Sequence, residues 1–166
     1  MRKRNLTIWL MVVVGICVLG LPKAEAAIDI EKHSLKGLEG VDVLVEYLSP
    51  DAKQIGLTRK QIQTDVELRL RRNNINVSSE FSPCHLYVRM SVMKVKGMPI
   101  FVYCVEVGFE QTVMLVRDPE KRCIATTWST MALGCVGELR GNNAIRQVLK
   151  DKVDEFVNDY LAVNQE

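Results

Sequence analysis

From His85 to Val116 the chain reads HLYVRMSVMKV, then KGMP, then IFVYCVEVGFEQTVMLV. Both arms are dense in Val, Met, Tyr, Phe and Ile, which suit a pleated, half-buried surface. Gly97 and Pro99 sit between them, where a hairpin reverses. The pattern predicts a central β-hairpin. With Val95 facing Ile100, Arg89 falls opposite Glu106, a favourable cross-strand pair. Gly108 interrupts the second arm and predicts a bulge or bend there.

Upstream, Ile28 to Gly40 reads as a loose lead-in. In VDVLVEYL, Val41, Val43, Val45 and Tyr47 alternate with Asp42, Leu44, Glu46 and Leu48, the period of a strand. Ser49-Pro50-Asp51 ends it. Thr58 and Gln61 then have capping-box spacing, and Ile62, Val66 and Leu70 follow at steps of four, so a helix buries that stripe. Asn73-Asn74 ends the helix, and Ile75-Asn76-Val77 begins a short strand. Downstream, Arg117 to Arg122 forms a charged turn, and Cys123 to Val136 reads as a further strand. From Asn143 onward, Ile145, Val148, Leu149, Val153, Phe156, Val157, Tyr160 and Leu161 recur at helical steps, with Asn142 or Asn143 as the cap. Lys150, Asp151, Asp154, Glu155 and Asp159 fill the other face. Strands run together with helices set apart, so the expected class is α+β: a mostly antiparallel sheet of about five strands with two helices packed on one face.

The opening is different. Arg2-Lys3-Arg4 precedes an apolar run from Leu6 to Leu21, then Pro22 and Ala24-Glu25-Ala26. This is the layout of a secretory signal peptide cut before Ala27, leaving residues 27–166 as a single domain in the periplasm or outside the cell. An uncleaved membrane anchor is the competing reading, disfavoured because the run falls short of the roughly 20 residues that span a bilayer. Lipidation at Cys17 is rejected because Ile16 precedes it, where a small residue is needed.

Composition sharpens the picture in two places. At 48% hydrophobic and 25% charged, the chain can fill a core. Its formal charge of +2 comes from 22 basic and 20 acidic residues, and four of the basic and one of the acidic ones precede Ala27, leaving the body at −1. That argues against nucleic acid as partner, because phosphate binding needs an excess of Lys and Arg.

Candidate chemistry is sparse. There is no GxSxG, HExxH, phosphate loop or GxGxxG, and the histidines are His33 and His85. Cys84-His85 offers a nucleophile beside a base or half a metal site, but adjacent strand residues point to opposite faces. Ser129 lacks a glycine elbow. No metal and no cofactor is expected. In an oxidising compartment, Cys84, Cys104, Cys123 and Cys135 fit two disulfides of three possible connectivities. If Val116 lies opposite Cys123, Cys104 falls opposite Cys135, and Cys84 pairs with Cys123. Arg69, Arg71 and Arg72 cluster in the last turn of the first helix. They either complement the helix dipole or form a patch for an anionic ligand. Tyr87, Phe101, Tyr103, Phe109 and Trp128 lie on strands. They fill the core unless an exposed row of rings stacks on a glycan.

GLTRKQIQTDVELRLRRNNINV, then HLYV, TTWST and FVNDYLAVN, together covering most of the body, resemble a group of uncharacterised small exported bacterial proteins. The resemblance implies export and no particular activity. The element order is also similar to that of the amino-terminal domain of TolB, a likeness of topology alone. The leading expectation is a non-enzymatic envelope protein that binds another macromolecule, an envelope protein or a glycan, through a sheet edge or face. The alternatives are a small periplasmic hydrolase or thiol enzyme using Cys84 or Ser129, and a membrane-anchored envelope protein that keeps its N-terminal helix.

Overall fold

A computed structural model describes residues 30–78 and 84–164. The segment read as an export signal, with its expected cleavage point, Cys17 and the apolar run, lies outside the described residues. Among those described, no helix is long and apolar enough to cross a membrane. The order is β1 (Asp42–Val45), α1 (Pro50–Gln54), α2 (Arg59–Arg72), β2 (His85–Lys94), β3 (Ile100–Leu115), β4 (Asp118–Gly137), a 3-10 turn (Glu138–Arg140) and α3 (Gly141–Asn164).

The fold is α+β, built on a mixed sheet of four strands in the order β1-β2-β3-β4. Two expectations are corrected. The strands number four among the described residues rather than five, because Ile75–Val77 makes only an isolated parallel bridge from Val77 to Val41. The sheet is not wholly antiparallel, because β1 runs parallel to β2. Two helices intervene between these strands, and such a crossover returns the chain in the same direction.

The central hairpin has the expected register. Val95 N donates to Ile100 O at 2.9 Å, and Arg89 stands opposite Glu106. The second hairpin is tighter than the charged RDPEKR stretch suggests. Leu115 pairs with Asp118 across a two-residue turn at Val116-Arg117, and β4 begins at once. Irregularities fall between Met114 and Leu115 and between Phe109 and Glu110, the latter one residue beyond Gly108. There Phe109 pairs with Trp128 and Glu110 with Thr126, so Thr127 is the extra residue of a bulge.

One sheet face makes the core. Val43, Val45, Leu86, Val88, Met90, Val92, Phe101, Val105, Val107, Phe109 and Trp128 are buried with Ile62, Val66 and Leu70 of α2 and Ile145, Leu149, Val153, Phe156 and Val157 of α3. Helix α2 contacts β1 and α3, and α3 contacts β3 and β4. Their local signals are readable. Thr58 Oγ1 accepts from Gln61 N at 3.2 Å and caps α2. At its other end Asn74 takes a left-handed φ of 60°, which asparagine tolerates, and Ile75 N returns to Leu70 O at 3.1 Å.

Two more corrections concern helix starts. Strand β1 ends at Val45, short of the expected Leu48, and Ser49-Pro50-Asp51 opens α1. Ser49 Oγ accepts from Ala52 N, and Pro50 occupies the first turn, where a missing N–H costs nothing. Helix α3 begins at Gly141, so Asn142 and Asn143 lie inside its first turn, and Asn142 Nδ2 donates instead to Ile55 O at 3.3 Å.

Candidate functional site

The sheet face away from the helices is the open surface. Alternation places Leu44 of β1, Tyr87, Arg89, Ser91 and Met93 of β2, Val102, Cys104 and Glu106 of β3, and Ser129, Met131, Leu133 and Cys135 of β4 on it. It divides into two zones. In the polar one, Arg89 donates through Nε to Glu46 at 3.0 Å and through Nη1 to Glu106 at 2.9 Å. The Glu106 charge and the bond to Glu46 raise the Arg89 pKa further above its ordinary value. The guanidinium also lies 5.4 Å from the Tyr87 ring centre. Desolvation, then the Glu46 charge, raises the Tyr87 hydroxyl pKa.

The second zone is apolar. Met93, Met131 and Leu133 are 62%, 60% and 73% exposed, although they stand on hydrogen-bonded strands. A groove of about 480 Å³ runs between Met93 and Leu133, with Tyr47, Ser91, Val102 and Cys104 also in its walls, while Met131 stands opposite Glu106 outside it. Sequence reasoning missed these residues for a physical reason. On β4 the large side chains of Met131 and Leu133 alternate with the smaller Thr130, Ala132 and Gly134. Size alone sends the large ones to the core. The small ones face the core instead: Thr130 bonds Glu155 of α3, and Tyr103 crosses Gly134. A Cβ on Gly134 would come 2.5 Å from the Tyr103 hydroxyl oxygen and 2.7 Å from its Cζ.

The aromatic residues do not form an exposed row. Phe101, Phe109 and Trp128 are buried, and Trp128 Nε1 donates to Asp159 at 3.0 Å. Tyr87 sits under Arg89, and Tyr47 carries Arg59 at 5.1 Å.

The three arginines at the end of α2 go separate ways. Arg69 makes a two-pronged bond to Asp154 of α3, and Arg71 pairs with Glu67 one turn back at 3.0 Å. Arg72 is exposed. An anionic ligand at this helix end would therefore meet Arg72 first and compete with a carboxylate for each of the others.

His85 is buried, and its Nε2 lies 3.1 Å from the Glu110 carboxylate of the neighbouring strand. Ser129 stands opposite Gly108, itself opposite Tyr87. Strand spacing and rise then separate Ser129 from His85 by about 12 Å along the sheet. The structure does not bring them together as nucleophile and base.

The disulfide pairing is overturned. No disulfide joins Cys84, Cys104, Cys123 and Cys135. The tight turn and the irregularities beside it move the register, so that Val113 faces Cys123, Cys104 faces Leu133, and Cys135 faces Val102. Cys104 and Cys135 thus become diagonal neighbours, roughly 7–8 Å apart, beyond ordinary disulfide reach. Cys84 precedes β2 and Cys123 lies on β4, so β3 separates them and two strand spacings amount to about 9.5 Å. Reducing agent should therefore leave the melting temperature where it is. A fall of about 10 °C or more, the scale expected from losing two crosslinks, would restore the disulfide reading.

The geometry defines a class: a helix-backed mixed sheet whose second face is open and apolar at one end. No protein-family model and no curated protein matches the chain. Among solved structures it is similar to a minor lipoprotein from Acinetobacter baumannii, at 10% identity and a TM-score of 0.43, covering 76% of this chain and 93% of that one. It is also similar to a PelC dodecamer from Paraburkholderia phytofirmans, at 12% identity and a TM-score of 0.38, covering 77% of this chain and 88% of that one.

Proposed function

We propose that this protein is an exported, non-enzymatic binding module whose open sheet face receives an apolar segment of a protein partner. The observation that carries the reading is the groove walled by Met93, Val102, Cys104 and Leu133 on a rigid sheet, with Met93 and Leu133 each more than half exposed. Large side chains held out on paired strands form a patch that water solvates poorly, and such patches mark interaction sites. Methionine adapts its shape to irregular apolar surfaces, which suits a protein segment. A glycan would call for stacked rings. Here Phe101, Phe109 and Trp128 are buried in the core, Tyr103 is half-buried across Gly134, and Tyr87 lies under Arg89, so the strands present no exposed row of rings. The zone of Glu46, Arg89 and Glu106 at the groove's edge supplies charged groups of both signs that fix orientation.

A photo-crosslinking amino acid at Met93 in the exporting cell should capture one discrete protein. The same group at Leu68, exposed on α2, should not capture it. Val102→Lys should remove the adduct formed from position 93 while leaving the far-ultraviolet circular dichroism and melting temperature unchanged. Equal capture from both positions, or capture indifferent to Val102→Lys, would count against the open face as the site.

A further inference from the structure

The two edges of the sheet are treated differently by the chain. Beside β1, Val41 N donates to Asn76 O at 2.9 Å and Ser78 N to Val41 O at 3.0 Å, so the segment after α2 covers the start of that edge. Strand β4 is the other edge, and among the described residues no strand pairs with its far side. Ser34 Oγ meets the Thr127 carbonyl at the bulge, and the 3-10 turn starts at Glu138. Between these points Trp128 to Gly137 runs as ten residues of strand. Edge strands expose a row of backbone donors and acceptors, and proteins ordinarily guard them with lysine, proline or inward charges. From Cys123 to Gly137 β4 carries no proline and no charged residue.

We propose that this edge is where a second copy of the chain docks. The two β4 strands run antiparallel about a twofold axis at Ala132, giving a continuous sheet of eight strands. The sequence is self-complementary in this register. Met131 of each copy falls opposite Leu133 of the other, so two exposed apolar side chains of the edge cover each other. On the helix side, small residues meet, Ala132 opposite Ala132 and Thr130 opposite Gly134. Ser129 falls opposite Cys135, and Trp128 opposite Val136. No charge opposes another anywhere along the seam, whereas most surface strands would set like charges across a twofold. Symmetric closure of this kind uses one patch twice and leaves none of the Trp128–Gly137 edge for further growth. The apolar zones of the two open faces become contiguous across the seam.

Sedimentation velocity on protein purified from cells expressing the full chain should show a dimer across a concentration series. The double substitution Met131→Lys with Leu133→Lys sets lysine against lysine at both cross-strand positions and should weaken association by tenfold or more. Met131→Lys with Leu133→Glu sets opposite charges at the same positions and should recover most of the dimer. All of these side chains project into solvent, and the melting temperature of each variant reports folding separately. Met93→Lys, on β2 and away from the seam, should leave the dimer intact, which separates this inference from the partner-binding role of the open face. A monomer at every concentration would overturn the proposal. So would a dimer indifferent to the paired lysines, or one that the lysine–glutamate variant fails to recover.

Discussion

Phe156→Ala should cost about 3–5 kcal/mol of folding free energy, the range for removing a large aromatic ring from a closed core. Phe156 is completely buried at the point where α3 crosses the sheet. Its ring centre lies 5.2 Å from Trp128 in an edge-on arrangement, 6.0 Å from Phe109 and 6.2 Å from Tyr160. Three aromatic neighbours are too stiff to collapse into the space left behind, so the cavity term adds to the lost transfer energy. A domain of this size has a total stability of roughly 5–15 kcal/mol, so the variant should be partly unfolded at growth temperature. Urea denaturation followed by tryptophan fluorescence reads both the loss and its locality, because Trp128 touches the deleted ring. A loss below about 1 kcal/mol would mean that α3 does not seat on β3 and β4 as described.

How much of this was legible follows from which forces act locally. The α3 stripe, with Ile145, Leu149, Val153, Phe156 and Val157, is periodic over almost four turns, and every one of these residues is buried. The Arg89–Glu106 pairing followed from one assumption about the turn at Gly97, because register propagates along a strand in steps of two. The same propagation defeated the cysteine argument. A wrong turn between β3 and β4 displaced every downstream partner, so Cys104 met Leu133 instead of Cys135. The bulge at Thr127 was announced only from the facing strand, by Gly108 one residue from the break in register.

The open face was hidden for a different reason. Alternation says which residues share a face of β4, but not which face the helix covers. That is decided by α3 packing on β4, where Thr130 meets Glu155 and Lys152, a long-range fit that exposes Met131 and Leu133. Residue size was the only local clue, and it pointed the wrong way. The parallel pairing of β1 with β2 is likewise set by α1 and α2 intervening between them. Reading Ser49-Pro50-Asp51 as a strand end, when it caps a short helix, shortened that crossover on paper.

The arginines show where local reading and tertiary structure diverge, and they carry the second large prediction. Helices α2 and α3 are joined by two ion pairs. Arg146 donates through Nε at 2.7 Å and Nη2 at 3.0 Å to the two oxygens of Asp65, and Arg69 grips Asp154 in the same two-pronged way. Hydrogen bonding to its carboxylate raises the pKa of each guanidinium above the ordinary value. The pairs differ in their access to water. Arg146 and Asp65 are 25% and 13% exposed, against 28% and 40% for Arg69 and Asp154. Forked, charge-assisted bonds at a half-buried helix interface gain from the reduced dielectric, whereas an exposed carboxylate is screened. Asp65→Ala should therefore destabilise the fold by about 1.5–3 kcal/mol, because it leaves the Arg146 guanidinium between the helices without its acceptor. Asp154→Ala should cost about 0.5–1 kcal/mol. Double-mutant cycles by urea denaturation separate the pair terms from the loss of each side chain alone. The coupling between Asp65 and Arg146 should be the larger, and it should fall less on raising salt than that between Arg69 and Asp154. Equal couplings with equal salt dependence would mean that both pairs are effectively solvated, and that the apolar stripes alone hold α2 against α3.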